Sequence, residues 1–468
     1  MPKTSLTLIK GDKVELTTDY RDALPENMFA VERQILGSSG YMLTHPGLKE
    51  FGTGLGIDRG GYWNERLNIH YRVSGENLVS VSTSGTITNL GAISGVKRAS
   101  MTHSFNTQAI VADGRMWLHD GTTLNEVTDS NLGNPIDITW IDGYYFLTDG
   151  ENIYHTNISD ETAIDPLKFA TAEFSPDPTL AVDKTSDNQV VVFGRYSTEY
   201  FINRAIDNFA FQRVQGKAIK AGVVGTHCET ELDGRFYILG GGREESPSIH
   251  YISSGTYTSI ATREIDKVIA KYTETELADA ILETRIDDRD KFIVVHLPND
   301  VLLYNASIAA RLGIEYAWCI LKTGLGSNPW RGVNGVYDAR ISKWIYGDKV
   351  STSIGELDPT IFTQYGDNQE AVVYSPLVDM EQASIDQIEI DTIPGHQVSL
   401  DNATCAISLT YNGVTYGKEW WNLYGEKSNY NTRFIARRLG YVSDYVGFKI
   451  RYTGPEKVSF LALQVDYG

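Results

Sequence analysis

Nine histidines, three cysteines and 60 acidic side chains are the groups in this chain that could do chemistry, but their spacing points away from most of it. Cys228, Cys319 and Cys405 lie 91 and 86 residues apart with no CxxC pair, and His227 beside Cys228 adds a single neighbouring donor. That is neither a disulfide framework nor a four-ligand zinc set, so all three are expected as small buried side chains of a chain folded in a reducing cytoplasm. His70, His119, His155, His250 and His296 each fall in or beside an expected strand. They could converge on a common axis as metal ligands, although single histidines on strands are usually half-buried polar residues. Gly240-Gly241-Gly242 follows a strand, but no helix opening with Lys-Ser/Thr comes after it, so it reads as a hairpin and not a phosphate cradle. There is no GxSxG elbow and no HExxH pair. Carboxylates are numerous enough for a glycosidase, which needs two of them roughly 5–10 Å apart. Most of these Asp residues stand in turns, however, where their side chains cap backbone amides. No catalytic residue, cofactor or metal ligand is singled out.

The elements that would position any such group follow from composition. The 468 residues include 43 Gly, 27 Tyr and only 14 Pro, a mixture that suits many short strands joined by tight turns. The 41 basic against 60 acidic residues leave a formal charge of −19, which argues against a surface that grips nucleic acid. No apolar run approaches the roughly 18 residues needed to cross a bilayer, so no membrane insertion is expected. Residues 1–20 contain no hydrophobic signal core. The one basic concentration, Arg433, Arg437-Arg438 and Arg451, reads as a solvated or subunit-contacting strand face, with Arg437 and Arg438 as candidate interface residues.

A turn–strand–turn unit recurs. Asp113-Gly114 and Asp120-Gly121 are seven residues apart, as are Asp142-Gly143 and Asp149-Gly150, and Asp233-Gly234 and Gly240-Gly241. Each pair brackets five residues that are mostly strand formers. Looser versions lie around Glu65, Asp187-Asn188, Asp290 and Arg340, so the units begin near 65, 113, 142, 187, 233, 290 and 340. A period of about 40–50 residues built from short strands predicts a β-propeller, because one four-stranded sheet cannot bury both of its faces alone. Six or seven blades are expected, with the 29-residue interval between 113 and 142 marking an incomplete one. The continuously apolar runs 190–193 and 292–295 suit inner strands covered on both faces. A β-solenoid or paired sandwiches would also give strands and turns.

Residues 263–285 break the pattern. Ile265, Val268, Ile269 and Tyr272 are spaced helically, and Thr273 with Glu276 forms a capping box opening a second helix that carries Leu277, Ala280 and Ile281. This pair is expected either to cap its own blade or to pack on a neighbour, which makes Ile269, Tyr272, Leu277 and Ile281 candidate interface residues. From about 366 to 468 alternating strands (371–379, 385–392, 404–411, 414–421, 432–439, 445–453 and 458–466) predict a β-sandwich, with Asn412-Gly413 as a two-residue hairpin. Residues 1–60 read as an extended arm with one or two strands that could close the ring, and 61–365 as the propeller. The fold class is mainly β: a propeller with a small helical insertion plus a C-terminal sandwich.

Several segments have a familiar wording. They include GSSGYMLTHPGL (37–48), SMTHSFNTQAI (100–110), FGRYSTEYF (193–201), GVVGTHC (222–228) and EIDKVIAKYTETELADAILETR (264–285). HLPNDVLLYNAS (296–307), WCILKTGL (318–325), WRGV (330–333), GDKVSTSIGEL (347–357), NGVTYGKE (412–419) and VGFKIRY (446–452) continue the series in order. Together they resemble the packaged-DNA stabilisation proteins, also called tail hub or nozzle proteins, of short-tailed bacteriophages. The resemblance runs from about residue 27 to the end and departs in loop lengths and in much of 50–95 and 115–180. It implies a virion tail protein without catalytic residues or cofactor, assembled in the host bacterial cytoplasm. It further implies a ring, thought to be hexameric, below the portal adaptor or head-to-tail connector. Such a ring continues the DNA channel, helps retain the packaged genome, and docks tail spikes or fibres and a needle or plug. The net charge then predicts a neutral or acidic lumen along which genomic DNA slides without sequence-specific binding. A non-catalytic propeller that recognises carbohydrate or protein, and a propeller glycoside hydrolase, are the competing readings.

Overall fold

Asp113-Gly114, Asp142-Gly143 and Asp233-Gly234 each put both residues at positive φ (47° and 77°, 51° and 90°, 54° and 74°). This is the backbone that a tight hairpin between right-twisted strands requires. Repetition of such hairpins gives the architecture of the computed structural model, which describes residues 3–9, 23–35, 38–158, 160–253, 255–287, 290–380, 382–392, 403–424, 428–431 and 433–468. Residues 10–22 of the expected arm, Gly37 of the segment GSSGYMLTHPGL and Thr432 of an expected strand lie outside the described residues.

Seven antiparallel sheets follow one another, over 58–92, 100–126, 137–170, 179–213, 222–259, 281–321 and 332–358. Their first strands lie side by side in chain order, and Gly332–Asp338 comes back beside Asp58–Asn64, so the sheets form a closed propeller. The last sheet takes its outer strand from the other end of the chain: Gly47–Thr53 pairs antiparallel with Ser353–Asp358, Leu48 opposite Leu357. In the second sheet the first turn spans Ser104 to Thr107, and Asp113-Gly114 joins the second and third strands. The short 113–142 interval therefore compares turns from different places in the repeat, and no incomplete sheet accompanies it. Val190–Gly194 is buried throughout, and so is 292–296, as expected for strands covered on both faces. Each such aliphatic or aromatic side chain contributes about 1.5–3 kcal/mol.

Polar contacts stitch the seam between the last and first sheets. The fully buried Arg72 donates through Nε to Asp58 Oδ2 at 2.6 Å and through Nη2 to the Asn334 carbonyl at 2.9 Å. Asn334 Nδ2 donates to Asp58 Oδ1 at 2.7 Å, and Asp338 Oδ2 lies 3.3 Å from His70 Nδ1 and 2.6 Å from Arg340 Nη2.

The helical insertion is shorter than its sequence suggests. Helices Arg263–Ile269 and Glu274–Leu277 are present, the second with the Thr273/Glu276 capping box. Ile281 instead starts strand Ile281–Asp287, because its next residues pair with Asp290–His296. Ile269 and Leu277 (1% and 2% exposed) are buried with Val223, Cys228 and Leu282 in the propeller's own core. Both side chains are spent on packing within this chain.

Among its described residues the N-terminal segment holds four strands, where one or two were expected: Lys3–Thr7, Met28–Ile35, Ser38–Thr44 and Gly47–Thr53. Met28–Ile35 and Ser38–Thr44 pair with each other, but Lys3–Thr7 joins Ala462–Tyr467 and Ser38–Thr44 also meets Ser459–Phe460 at the far end of the chain. The sandwich packs Lys3–Thr7, Ala462–Tyr467, Ala383–Asp391 and Phe434–Val442 against Asp367–Tyr374, Tyr445–Gly454, Thr404–Thr410 and Glu419–Leu423. Asn412-Gly413 is not a two-residue hairpin, and no strand occupies 414–418. Asn412 Oδ1 accepts from the Val414 and Thr415 amides, which curls the chain into a longer loop before Ser408 meets Glu419. Cys228, Cys319 and Cys405 are buried free thiols.

Candidate functional site

The first strand of each sheet runs along the propeller axis, and its inward side chains meet there. The inner strands bring an unusual number of ionisable groups to this place: Asp58, Asp137, Asp183, Glu229, Glu231 and Glu283, with Arg98 among them. Arg98 lines two cavities of about 470 and 690 Å³, the first reaching the end of the axis that carries Glu65 and Arg66. Its guanidinium is shared electrostatically among Glu283, Asp58, Glu229 and Asp137, with Glu283 Oε1 at 3.8 Å.

These acids differ in how they are held. Burial pushes Asp137 up to about 7, although its Oδ2 accepts the Val182 amide at 2.8 Å and so ties the third sheet to the fourth. Burial likewise raises Asp183 to about 6, and raises Glu229 well above the carboxylate range with further help from the charges of Asp183 and Asp137. Glu283 goes the other way. Burial would raise it, but His296, Arg98 and the Gly335 amide together hold it below the usual range. It accepts the Asn334 and Gly335 amides at 2.6 and 3.0 Å, linking the sixth sheet to the seventh. His227 is kept neutral by burial and by Arg98, with its pKa near 3.

A carboxyl whose pKa is raised to about 7, as that of Asp137 is, has the value a general acid needs. Yet the axial acids whose contacts are described mainly join one sheet to the next. Among the described residues no group of three or more His, Cys, Asp or Glu side chains is arranged to hold a metal ion. The five histidines considered as ligands stand apart. His70 meets Asp338, His119 Nδ1 meets Tyr71 Oη at 2.9 Å, and His155 Nδ1 meets the Thr156 carbonyl at 2.8 Å. His250 packs on Tyr257, and His296 Nε2 lies 3.5 Å from Glu283.

The remaining interface candidates are scattered. Tyr272 is half-buried and donates to Asp300 Oδ2 at 2.6 Å, and Ile281 lies on the wall of the larger cavity. Arg437 and Arg438 are exposed on Phe434–Val442, Arg437 donating to Gln387 Oε1 at 3.1 Å and Arg438 adopting φ 59°. Reading the sequence missed the axial groups. Their signal was present as position: Asp58, Asp137, Asp183, Glu229, Glu283 and Asn334 each precede the first turn of their repeat by four to seven residues.

Comparison with known proteins covers nearly the whole chain. Residues 4–362 match the family model described as bacteriophage P22 Gp10, beta-propeller, and residues 370–468 match bacteriophage P22 Gp10, beta-sandwich. The chain is 31% identical over 482 aligned positions to the tail hub protein gp10 of Salmonella phage P22, covering 99% of each. Among solved structures it is similar to the N-terminal domain of Nup159 (8% identity, TM-score 0.41, 71% of this chain and 98% of that one). It is also similar to virginiamycin B lyase from Staphylococcus aureus (13% identity, TM-score 0.43, 68% and 98%).

Proposed function

Because this chain belongs to the P22 Gp10 family of phage tail hub proteins, we propose that it acts as a ring-forming section of the tail conduit of a short-tailed phage. Several copies, six by the family pattern, surround a channel for genomic DNA below the portal adaptor. The same ring helps retain the packaged genome and gives tail spikes or fibres and a needle or plug their docking surfaces. It assembles in the host cytoplasm. The observation that carries this reading is the end-to-end match, both domains in order, to a tail hub protein.

The axis of the single propeller supports one detail. Its two cavities hold about 470 and 690 Å³ and are lined in common by Arg98. A DNA duplex, whose major groove alone is about 12 Å wide, cannot thread such a space. Any conduit therefore runs between copies, on outer surfaces of the propeller or sandwich, where Arg437 and Arg438 remain candidates for contact. Electron microscopy of the purified protein, alone and mixed with portal–adaptor particles, tests the reading. A closed ring seated on the adaptor is expected. Persistent monomers in both samples would overturn it.

A second reading has one observation in its favour, the position of Asp137, whose pKa is raised by burial, on a cavity wall with Asp183 and Glu229. Glycan hydrolysis abolished by Asp137→Asn would support it, and the ring reading expects no turnover by either protein.

A further inference from the structure

The larger axial cavity, of about 690 Å³, has apolar walls that include the buried Leu297 and Val333. At its polar side several groups lack partners. His296 (3% exposed) has no hydrogen-bond partner at Nδ1, and Asn334 (4% exposed) has none at Oδ1. The Lys349 ammonium has no hydrogen bond or close ion pair among the described residues, only the field of Glu283, and Arg98, which shares the field of the axial acids, has as its nearest ion-pair contact Glu283 at 3.8 Å. Buried polar atoms in folded proteins are nearly always paired, so convergent unpaired ones mark a place for a ligand.

The chemistry of the set is specific. Neither ring nitrogen of His296 has a hydrogen bond, and the Glu283 carboxylate 3.5 Å from Nε2 favours the ring proton on that side, which makes Nδ1 an acceptor beside the acceptor Asn334 Oδ1. Two cations and two N–H acceptors complement a carboxylate that has amide N–H groups next to it. The rim adds a constraint: Glu76, Glu276 and Asp279 are exposed at the entrance and repel a bare anion. A ligand that enters must carry its negative end on an uncharged or basic shaft. We propose that this cavity binds the C-terminal end of another polypeptide, its carboxylate on Lys349 and Arg98, its last amides on Asn334 and His296, and an apolar final side chain against Leu297 and Val333. This inference does not depend on ring formation.

The probe is a panel of fluorescent tetrapeptides ending in Leu, Ile, Val or Phe, each as free acid and as C-terminal amide, titrated into the intact protein by anisotropy. At least one free acid is expected to bind about tenfold or more tighter than its amide, and Lys349→Met to erase that difference with the melting profile unchanged. The acid–amide comparison needs no variant and stands if Lys349→Met misfolds. Equal binding of acid and amide would overturn the proposal, as would no binding by any free acid at millimolar concentration. Competition by free leucine or inorganic phosphate as strong as by the peptide would do the same.

Discussion

Along its axis and closing seam the propeller encloses Arg72, Asp58, Glu283, Asp338 and His70, whereas the sandwich fills its interior with Ile388, Ile407, Phe448, Ile450 and Val465. The difference follows from what each part must specify. Two facing sheets need only bury their apolar faces, and hydrophobic burial has no direction. Seven similar sheets must also fix which lies beside which, and hydrogen bonds from buried polar and charged side chains to the neighbouring sheet supply direction. Across the seam where Gly332–Asp338 meets Asp58–Asn64, Arg72 donates to the Asn334 carbonyl, Asn334 Nδ2 donates to Asp58 and His70 meets Asp338, while residues 54–57 join strand Gly47–Thr53 of the last sheet covalently to the first.

Breaking the seam should cost most. Arg72→Met leaves Asp58 buried beside a lost partner, an effect of about 3–5 kcal/mol. Calorimetry should show the propeller transition lowered and the sandwich transition unmoved, with Asp58→Asn restoring part of the loss in the double variant. Both transitions falling together would erase the contrast. In the sandwich, Ile388→Ala should cost about 2–5 kcal/mol through its cavity, confined to the other transition.

The axial acids sharpen the comparison through pH. Asp137 has a folded pKa of about 7 against an ordinary 3.8, so its protonated form is favoured by folding. That contribution is complete below about pH 4 and is lost as the pH rises through 7. Asp137→Asn keeps an oxygen for the Val182 amide and does not ionise. Its advantage over the natural chain should be near zero at pH 4 and grow to on the order of 4 kcal/mol above pH 7, read from urea melts at both pH values. A constant difference across that range would mean the carboxyl is not held protonated. The smallest effect belongs to a turn. Gly234 sits at φ 74° with only Ser186 Oγ near an added Cβ, at 3.8 Å, so Gly234→Ala should cost about 1 kcal/mol in the propeller transition, from backbone strain alone.

Local features were legible in the sequence. The Asp-Gly turns, the buried runs at 190–193 and 292–295, the Thr273/Glu276 capping box and the change of character near 366 all rest on neighbouring residues. What could not be read was distant pairing. Lys3–Thr7 and Gly47–Thr53 have partners more than 300 residues away, so nothing beside them announces a strand. Ile281 was assigned to a helix because its spacing suited one, while its pairing with His296 across a hairpin outweighed that preference. Ile269 and Leu277 show the same limit, since an apolar helical face does not say whose core it fills. The axial carboxyls were hidden because one or two acids in each of five repeats look ordinary until a ring brings them together.

The strand Gly47–Thr53 imposes an order on synthesis. It emerges early from the ribosome, yet its partner Ser353–Asp358 is translated some 300 residues later, and the partner of Lys3–Thr7 comes almost last. Through most of translation the first strands therefore wait unpaired, with edges open to neighbouring chains. Closure of the ring waits for Ser353–Asp358, and a chain terminated before that strand would have an open ring and a bare sheet edge, fit for disposal but not for incorporation.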